Sequence, residues 1–154
     1  MCHTMKIEDE IKQSNFKSEH QKAYINLVYT SGWLQQVQAA LFKPFGLTLP
    51  QYNILRILRG QHPKPATISL LIERMLDKTS NASRIVDKLE VKGLVTRKQC
   101  PDDRRTVDVL ITDKALALLK EMDGLEGGTQ TGIKALSEQE AQELNRILDK
   151  IRDK

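Results

Sequence analysis

Apolar residues recur at helical spacing through the first half of the chain. From about Lys17 to Phe42 this spacing predicts one long first helix, which Pro44 and Gly46 end. Its apolar positions are Tyr24, Leu27, Val28, Leu34, Val37 and Leu41. Thr48 and Gln51 form a T-x-x-Q capping box, which predicts a second helix from there to near Gly60.

Two shorter helices follow. Ile68, Leu71, Ile72 and Met75 are spaced i, i+3, i+4 and i+7, which predicts a third helix from near Thr67. A fourth is predicted to begin three or four residues later, near Thr79, and to run to Lys92. Gly93 stands at its C′ position, where glycine adopts a left-handed conformation at little cost.

After Gly93 the period changes from helical to alternating. Residues 94–99 and 106–112 are predicted to be two strands, because Val107, Val109 and Ile111 alternate with residues of the other face. The turn between them is predicted at Pro101-Asp102-Asp103. Two more helices are predicted, one from Thr112 and one behind the S-x-x-E capping box at Ser137.

This order predicts a mainly α fold with a small β-hairpin wing. The third and fourth helices with their short connection suit a helix-turn-helix, and the hairpin behind them makes it a winged helix-turn-helix.

Charge is concentrated at the junction of the fourth helix and the hairpin. Residues 78–105 contain eight basic and four acidic residues, an excess of positive charge equal to the net charge of +4 for all 154 residues. The rest of the chain is therefore neutral. A neutral body with one basic sector is typical of a nucleic-acid-binding protein.

The fourth predicted helix has a face suited to reading DNA. Its apolar side packs inward, and its other side begins with short hydrogen-bonding residues that fit a major groove, followed by cations that reach guanine edges or phosphates. The candidate DNA-binding residues of this helix are Ser80, Asn81, Ser83, Arg84 and Lys88. Any surface helix has a polar face, so the interpretation depends on the turn before it and the basic hairpin after it.

The hairpin carries its own basic residues. Arg104 and Arg105 lie near its tip and Arg97 lies on the preceding strand, which suits insertion into a narrow, electronegative minor groove. Asp103 is placed to brace one of the arginines across the turn. The alternative is that these charges only keep a β-edge soluble.

Composition narrows the class of protein further. No apolar run approaches a membrane span, and the polar N-terminus has no secretory h-region, so a cytoplasmic location is expected. Two cysteines, Cys2 and Cys100, agree with a reducing compartment. The three histidines are scattered along the sequence, so no metal site is expected. The sequence contains no nucleotide-binding or cofactor-binding motif. It also contains no nucleophile–base pair, so an enzyme is not expected.

With these elements in place, the chain resembles the MarR family of bacterial transcription regulators over roughly residues 17–154. The most specific match is the wing, where Pro101-Asp102-Asp103-Arg104-Arg105 and the segment Val109 to Lys114 resemble the signature D-P-x-D-R-R … V-x-L-T-x-K-G. Residues 47–52 and 84–95 support it.

The resemblance implies a homodimer on double-stranded DNA. The fourth helices would enter successive major grooves, and Arg104 or Arg105, oriented by Asp103, would reach the minor groove. It also implies a division of the chain. Residues 1–16 are expected to be a flexible tail, 17–46 a long helix contributing to dimerisation, 47–112 the winged helix-turn-helix domain, and 113–154 C-terminal dimerisation helices.

Three departures from the family pattern stand out. Cys100 replaces the first Asp of the signature and Ala115 its Gly. The third is a glycine-rich segment from Gly124 to Gly132, where family members usually have helix. Each glycine costs up to about 1 kcal/mol against alanine in a helix interior, so the segment is either a loop or, as the resemblance favours, a continuous helix.

Members of the family commonly release DNA on sensing a small molecule, a metal or an oxidant. Here Tyr29, Trp33 and Tyr52 are candidates to line a pocket for an aromatic or amphipathic effector, and the alternative is that each is a core residue. Cys100 is either a redox-active thiol near arginines or an inert surface cysteine. The resemblance implies a DNA-binding transcriptional regulator that acts as a repressor. The competing expectation is a winged-helix protein-interaction module without sequence-specific DNA binding.

Overall fold

The structure is a computed structural model that describes residues 5–125 and 132–153. The chain divides into two compact units, Met1–Val37 and Gln38–Lys154. Within the two described ranges, no helix has both the length and the apolar character needed to cross a membrane.

The first unit contains helix α1, Ile7–Glu10, and most of helix α2, Glu19–Phe42, which ends in the second unit. The long first helix predicted from the sequence is confirmed. Helix α1 was not predicted. It buries Ile7, and the Glu8 carboxylate on it forms an ion pair with Lys22 of α2. Flexibility of residues 1–16 stays a prediction.

The second unit begins at the end of α2. A single 3-10 turn, Lys43–Phe45, leads to Gly46 with φ of 66°, and helix α3 follows at Leu49–Gln61. Its predicted capping box is confirmed, because the Thr48 side chain accepts from the Gln51 N–H and the Gln51 side chain accepts from the Thr48 N–H. Strand β1 is Ala66–Thr67, and helices α4 and α5 are Ile68–Arg74 and Ala82–Val91.

The wing is a hairpin of β2, Val95–Gln99, and β3, Val107–Ile111, as the alternating pattern predicted. The sheet has a third strand that was not predicted, and its order is β1-β3-β2 with both pairings antiparallel. Val109 sits between the two edge strands, opposite Ala66 on β1 and Arg97 on β2. Val109 is fully buried, so the wing base belongs to the core.

The core of the second unit is built around α3. Ile54, Leu55 and Leu58 are at most 1% exposed, and α3 contacts α5, β3 and helix α6, Asp113–Asp123. Gly93, with φ of 71°, reverses the chain between α5 and β2, and the Leu94 N–H donates to the Leu89 carbonyl at 2.9 Å. This reversal brings the wing directly behind α5.

Helix α7, Glu138–Arg152, begins at the predicted Ser137 capping box, which is confirmed. The prediction of a continuous helix from Gly124 to Gly132 is wrong at both described ends. Helix α6 ends at Asp123, Gly124 and Leu125 form a turn, and Gly132 has φ of 86°, which is outside helical geometry. Residues 126–131 lie outside the described residues. Glycine adopts the positive φ of Gly132 at little cost because it lacks a Cβ.

Candidate nucleic-acid interface

Helix α5 presents the polar face that its sequence predicts. Ala82, Val86 and Leu89 are at most 2% exposed and pack into the core. On the opposite side, Ser83, Arg84 and Lys88 are exposed. The helix is therefore held by one apolar stripe and leaves its polar stripe available to a partner.

The turn before α5 differs from the prediction. The helix begins at Ala82 rather than near Thr79, and the connection from α4 is longer than three or four residues. Asn81 is its N-cap, and its side-chain oxygen accepts from the Arg84 N–H at 3.0 Å. Ser80 and Asn81 thus lie at the entrance of the helix and not within it.

Asp77 explains the later start. Its carboxylate accepts from the Thr79 N–H at 2.9 Å, from the Thr79 hydroxyl at 2.6 Å and from the Ser80 hydroxyl at 2.6 Å. These hydrogen bonds, of which the one from the Ser80 hydroxyl has the largest effect, lower the pKa of Asp77 to about 2. A side chain that satisfies the local N–H and hydroxyl groups in this way competes with helix formation.

Asp77 was missed as a site residue, although its signal is visible in the sequence. An Asp two residues before a Thr is a common beginning of such a turn. Three further contacts hold the same connection. The Leu76 N–H donates to the Asn53 side chain at 2.9 Å, and the Lys78 ammonium donates to the Ile72 carbonyl at 3.1 Å and to the Glu73 carbonyl.

Arg97 on β2 is directed at α5. Its guanidinium forms an ion pair with Asp87, donates to the Ser83 carbonyl at 3.2 Å, and lies with Nε 3.6 Å from the Glu90 carboxylate. The Arg97 side chain is 26% exposed. The structure therefore brings Arg97 together with the predicted recognition helix, and the predicted contact of Arg97 with DNA stays a prediction.

The tip of the wing carries the other two arginines. Arg104 and Arg105 are exposed, and no ion pair or hydrogen bond of either guanidinium occurs within residues 5–125 and 132–153. The Asp103 carboxylate accepts from the Arg105 backbone N–H at 2.9 Å and from the Thr106 hydroxyl at 3.0 Å. Asp103 thus holds the backbone of the turn, and the bracing of an arginine side chain by Asp103 stays a prediction.

Comparison with known proteins identifies the family. The model of the MarR family matches residues 47–107. The HTH-type transcriptional regulator MgrA of Staphylococcus aureus is 28% identical over 111 residues, which cover 72% of this chain and 74% of that protein. The crystal structure of a MarR transcription factor from Planctomyces limnophilus is 32% identical, with a TM-score of 0.67, and the match covers 88% of this chain and 98% of that one.

The chain belongs to the MarR family. Its relatives are transcription regulators and not enzymes. The mainly α fold with a winged helix-turn-helix is confirmed by the same relatives and by Sco3205 of Streptomyces coelicolor, a MarR family regulator solved in complex with DNA. That structure has a TM-score of 0.78 at 20% identity and covers 90% of this chain and 92% of its own.

The departures from the MarR signature lie beside the basic residues of the wing and at the start of α6. Cys100 is half-buried, and its backbone N–H donates to the Thr106 carbonyl at 3.0 Å, which closes the wing turn. Ala115 is fully buried on α6, where its backbone N–H donates to the Thr112 hydroxyl, the N-cap of the helix, at 3.3 Å. Arg104 and Arg105 are both exposed with these residues in place.

The three aromatic residues predicted for a MarR effector pocket belong to different units. Tyr29 and Trp33 lie on α2 in the first unit and are 39% and 40% exposed. Tyr52 lies in the second unit, with its ring 4.3 Å from that of Phe42 and its hydroxyl accepting from Arg56 at 2.8 Å. Tyr52 therefore packs against the core, and a shared effector pocket stays a prediction.

Proposed function

We propose that the protein is a homodimeric repressor that binds an inverted-repeat DNA operator in the cytoplasm and releases it when a small-molecule effector binds. The observation that carries DNA recognition is the junction of α5 and the wing. Exposed Arg84 and Lys88 lie on α5, and exposed Arg104 and Arg105 lie at the end of the hairpin that directly follows it. A helix sized for the major groove and a narrow basic projection are the two parts that winged-helix proteins apply to DNA.

The residues proposed to contact DNA are those predicted from the sequence. They are Ser80, Asn81, Ser83, Arg84, Lys88, Arg97, Arg104 and Arg105, with Asp103 holding the wing turn. The structurally similar regulator Sco3205, solved in complex with DNA, supports DNA as the partner.

Exposed apolar side chains support the dimer. On α2, Tyr24 and Val28 are 69% and 54% exposed, and on α7, Ile147 and Ile151 are 42% and 62% exposed. Helix α7 buries none of its residues, although its apolar residues recur at helical spacing. Apolar helix faces of this kind are covered by a partner in stable assemblies, and a second copy of the chain supplies the same faces.

The effector is proposed to be aromatic or amphipathic, because Tyr29 and Trp33 expose aromatic surface on α2. Trp33 is the single tryptophan of the chain, so its fluorescence reports binding near it directly. Titration with a panel of aromatic acids should change that fluorescence and lower the affinity for DNA together. If no compound changes both, release by an aromatic effector is wrong while DNA binding stands.

The test of the DNA-binding function is a titration of duplexes at several salt concentrations. A homodimer should prefer inverted repeats whose half-sites are about 10 bp apart, and its affinity should fall by about 0.9 log units per log unit of salt for each phosphate contacted. An affinity that does not depend on salt, with no preference over random duplex, would favour the alternative, a winged-helix module that binds another protein.

A further inference from the structure

The hydrogen bonds around Asp77 restrict what the turn before α5 can offer to DNA. An ionised carboxylate only accepts hydrogen bonds, so the hydroxyls of Thr79 and Ser80, each 2.6 Å from an Asp77 oxygen, must both be donors. The pKa of Asp77 is lowered to about 2 by these same bonds, so the carboxylate is ionised at any physiological pH.

A hydroxyl has only one proton to donate. Once that proton is directed at Asp77, only the lone pairs of Thr79 and Ser80 face outward. Phosphate oxygens are acceptors, so neither hydroxyl can bind the DNA backbone, and the negative charge of Asp77 opposes a phosphate at the same place. In the major groove, the donors that can meet such lone pairs are the N6 amino group of adenine and the N4 amino group of cytosine.

Asn81 is fixed in the opposite sense. Its side-chain oxygen accepts from the Arg84 N–H at 3.0 Å, which leaves its amide NH₂ to donate outward. The entrance of α5 therefore offers acceptors at Thr79 and Ser80 and donors at Asn81.

We propose that Asp77 is a specificity-determining positioning residue. It orients Thr79 and Ser80 so that they accept hydrogen bonds from the exocyclic amino group of adenine or cytosine instead of donating to phosphate. This inference deepens the proposed DNA-binding function and rests on it. Thr79, which the sequence did not single out, becomes a base-reading residue.

The probe for the test is a duplex selected from a random pool by repeated binding to the full-length protein. In each half-site, every adenine is replaced in turn by purine and every cytosine by 2-pyrimidinone, which removes only the amino group. At one or more positions the wild-type protein should lose about three- to tenfold in affinity, the range of one hydrogen bond.

Variants of the two hydroxyls assign the loss. The loss should disappear in Ser80→Ala or Thr79→Val. A variant that lacks the hydroxyl makes no hydrogen bond to the amino group, so deleting the amino group costs it no affinity. It should persist in Ser80→Thr and Thr79→Ser, which keep the hydroxyl. Circular dichroism and Tm of each variant show that the fold is retained.

Asp77→Asn tests the positioning role itself. The asparagine NH₂ donates to one hydroxyl, whose own proton then turns outward, so the loss at the sensitive base should shrink and the affinity for random duplex should rise. Asp102→Asn, on the exposed wing turn, is the matched control. It removes the same charge without touching Thr79 or Ser80, and should leave the loss at the sensitive base unchanged.

Three results would overturn the proposal. The first is that no amino-group deletion lowers the affinity, and the second is that the loss persists in both Ser80→Ala and Thr79→Val. The third is that Asp77→Asn shows the same loss at the sensitive base as the wild type. In each case a selected duplex still demonstrates sequence-specific DNA binding. Failure to select any duplex would reject the proposed function, and this inference with it.

Discussion

The Arg97 guanidinium on β2 forms an ion pair with the Asp87 carboxylate on α5, and so connects the first strand of the wing to the helix in front of it. The same guanidinium donates to the Ser83 carbonyl and lies 3.6 Å from the Glu90 carboxylate. Asp87 and Glu90 would otherwise place negative charge on the helix proposed to enter DNA. Arg97 therefore both orients α5 relative to the wing and compensates its acidic residues.

Replacing Arg97 should separate this role from direct DNA contact. Arg97→Ala should lower the free energy of unfolding by up to about 1 kcal/mol, as for other partly exposed ion pairs. It should also weaken binding to all duplexes alike. Arg97→Lys should recover little stability, because an ammonium cannot span the same three acceptors. The salt dependence of DNA binding by Arg97→Ala decides between the two roles. If Arg97 only holds α5, the slope of log affinity against log salt concentration stays as in the wild type. If Arg97 contacts a phosphate, the magnitude of that slope falls by about 0.9.

Arg84→Ala should relax base specificity as well as weaken binding. The cap at Asn81 uses the Arg84 backbone N–H, so the substitution leaves the helix start intact. Loss of a guanine contact costs about 1–3 kcal/mol at that base pair and little elsewhere. Affinities for the selected duplex and for single-base variants measure this, with Lys88→Ala as a comparison on the same face. Equal losses on every sequence would assign Arg84 to a phosphate.

Arg104→Ala and Arg105→Ala should each reduce the affinity for DNA without changing the oligomeric state of the protein. Neither guanidinium takes part in an ion pair in the described parts of the chain, so their removal should leave Tm nearly unchanged. Lys120→Ala, an exposed cation on α6, is the control and should bind as the wild type does. Unchanged affinity in both arginine variants would remove the wing from the interface.

The dimer is tested on α7. Ile151→Glu places a charge at a 62% exposed apolar position, so the isolated fold should tolerate it. In a dimer interface the same charge is buried without a partner and costs several kcal/mol. Sedimentation equilibrium should then show a shift from dimer to monomer, with Lys150→Glu on the same helix as the control. A wild-type protein that is monomeric at micromolar concentration would contradict the proposal directly.

The pKa of Asp77 predicts a stability change in acid. Its folded value of about 2 lies below the ordinary 3.8, so the native carboxylate is the stabilised form. The contribution of Asp77 is fully present above about pH 4 and is lost as the pH falls through about 2. The difference in Tm between wild type and Asp77→Asn should therefore be constant at neutral pH and shrink toward pH 2. A difference that does not change with pH in this window would show that the carboxylate is not held as described.

Local signals in the sequence were sufficient for most of the fold. The capping boxes at Thr48 and Ser137, the stop at Gly93 and the alternation along β3 each depend on residues a few positions apart, and all are confirmed. Strand β1 could not be predicted, because two residues show no alternation and their pairing partner lies more than forty positions away.

The site was predicted less completely, for the same reason. The exposed face of α5 follows from periodicity, but the partners of Arg97 depend on where β2 packs after the reversal at Gly93. The late start of α5 depends on Asp77, whose side chain satisfies groups that a helix would otherwise use. A helical wheel treats such a residue only as a polar position.

The pairing of β1 with β3 sets the limits for building chimeric regulators. Ala66 and Thr67, immediately before α4, are hydrogen-bonded into the wing through Val109 and Asp108. If only the wing is exchanged between two relatives, β3 loses the β1 strand it pairs with. If only the helix-turn-helix is exchanged, the incoming β1 must pair with the hairpin of the other protein. A segment exchanged between regulators should therefore include Ala66 to Ile111 together, so that β1 keeps its own hairpin.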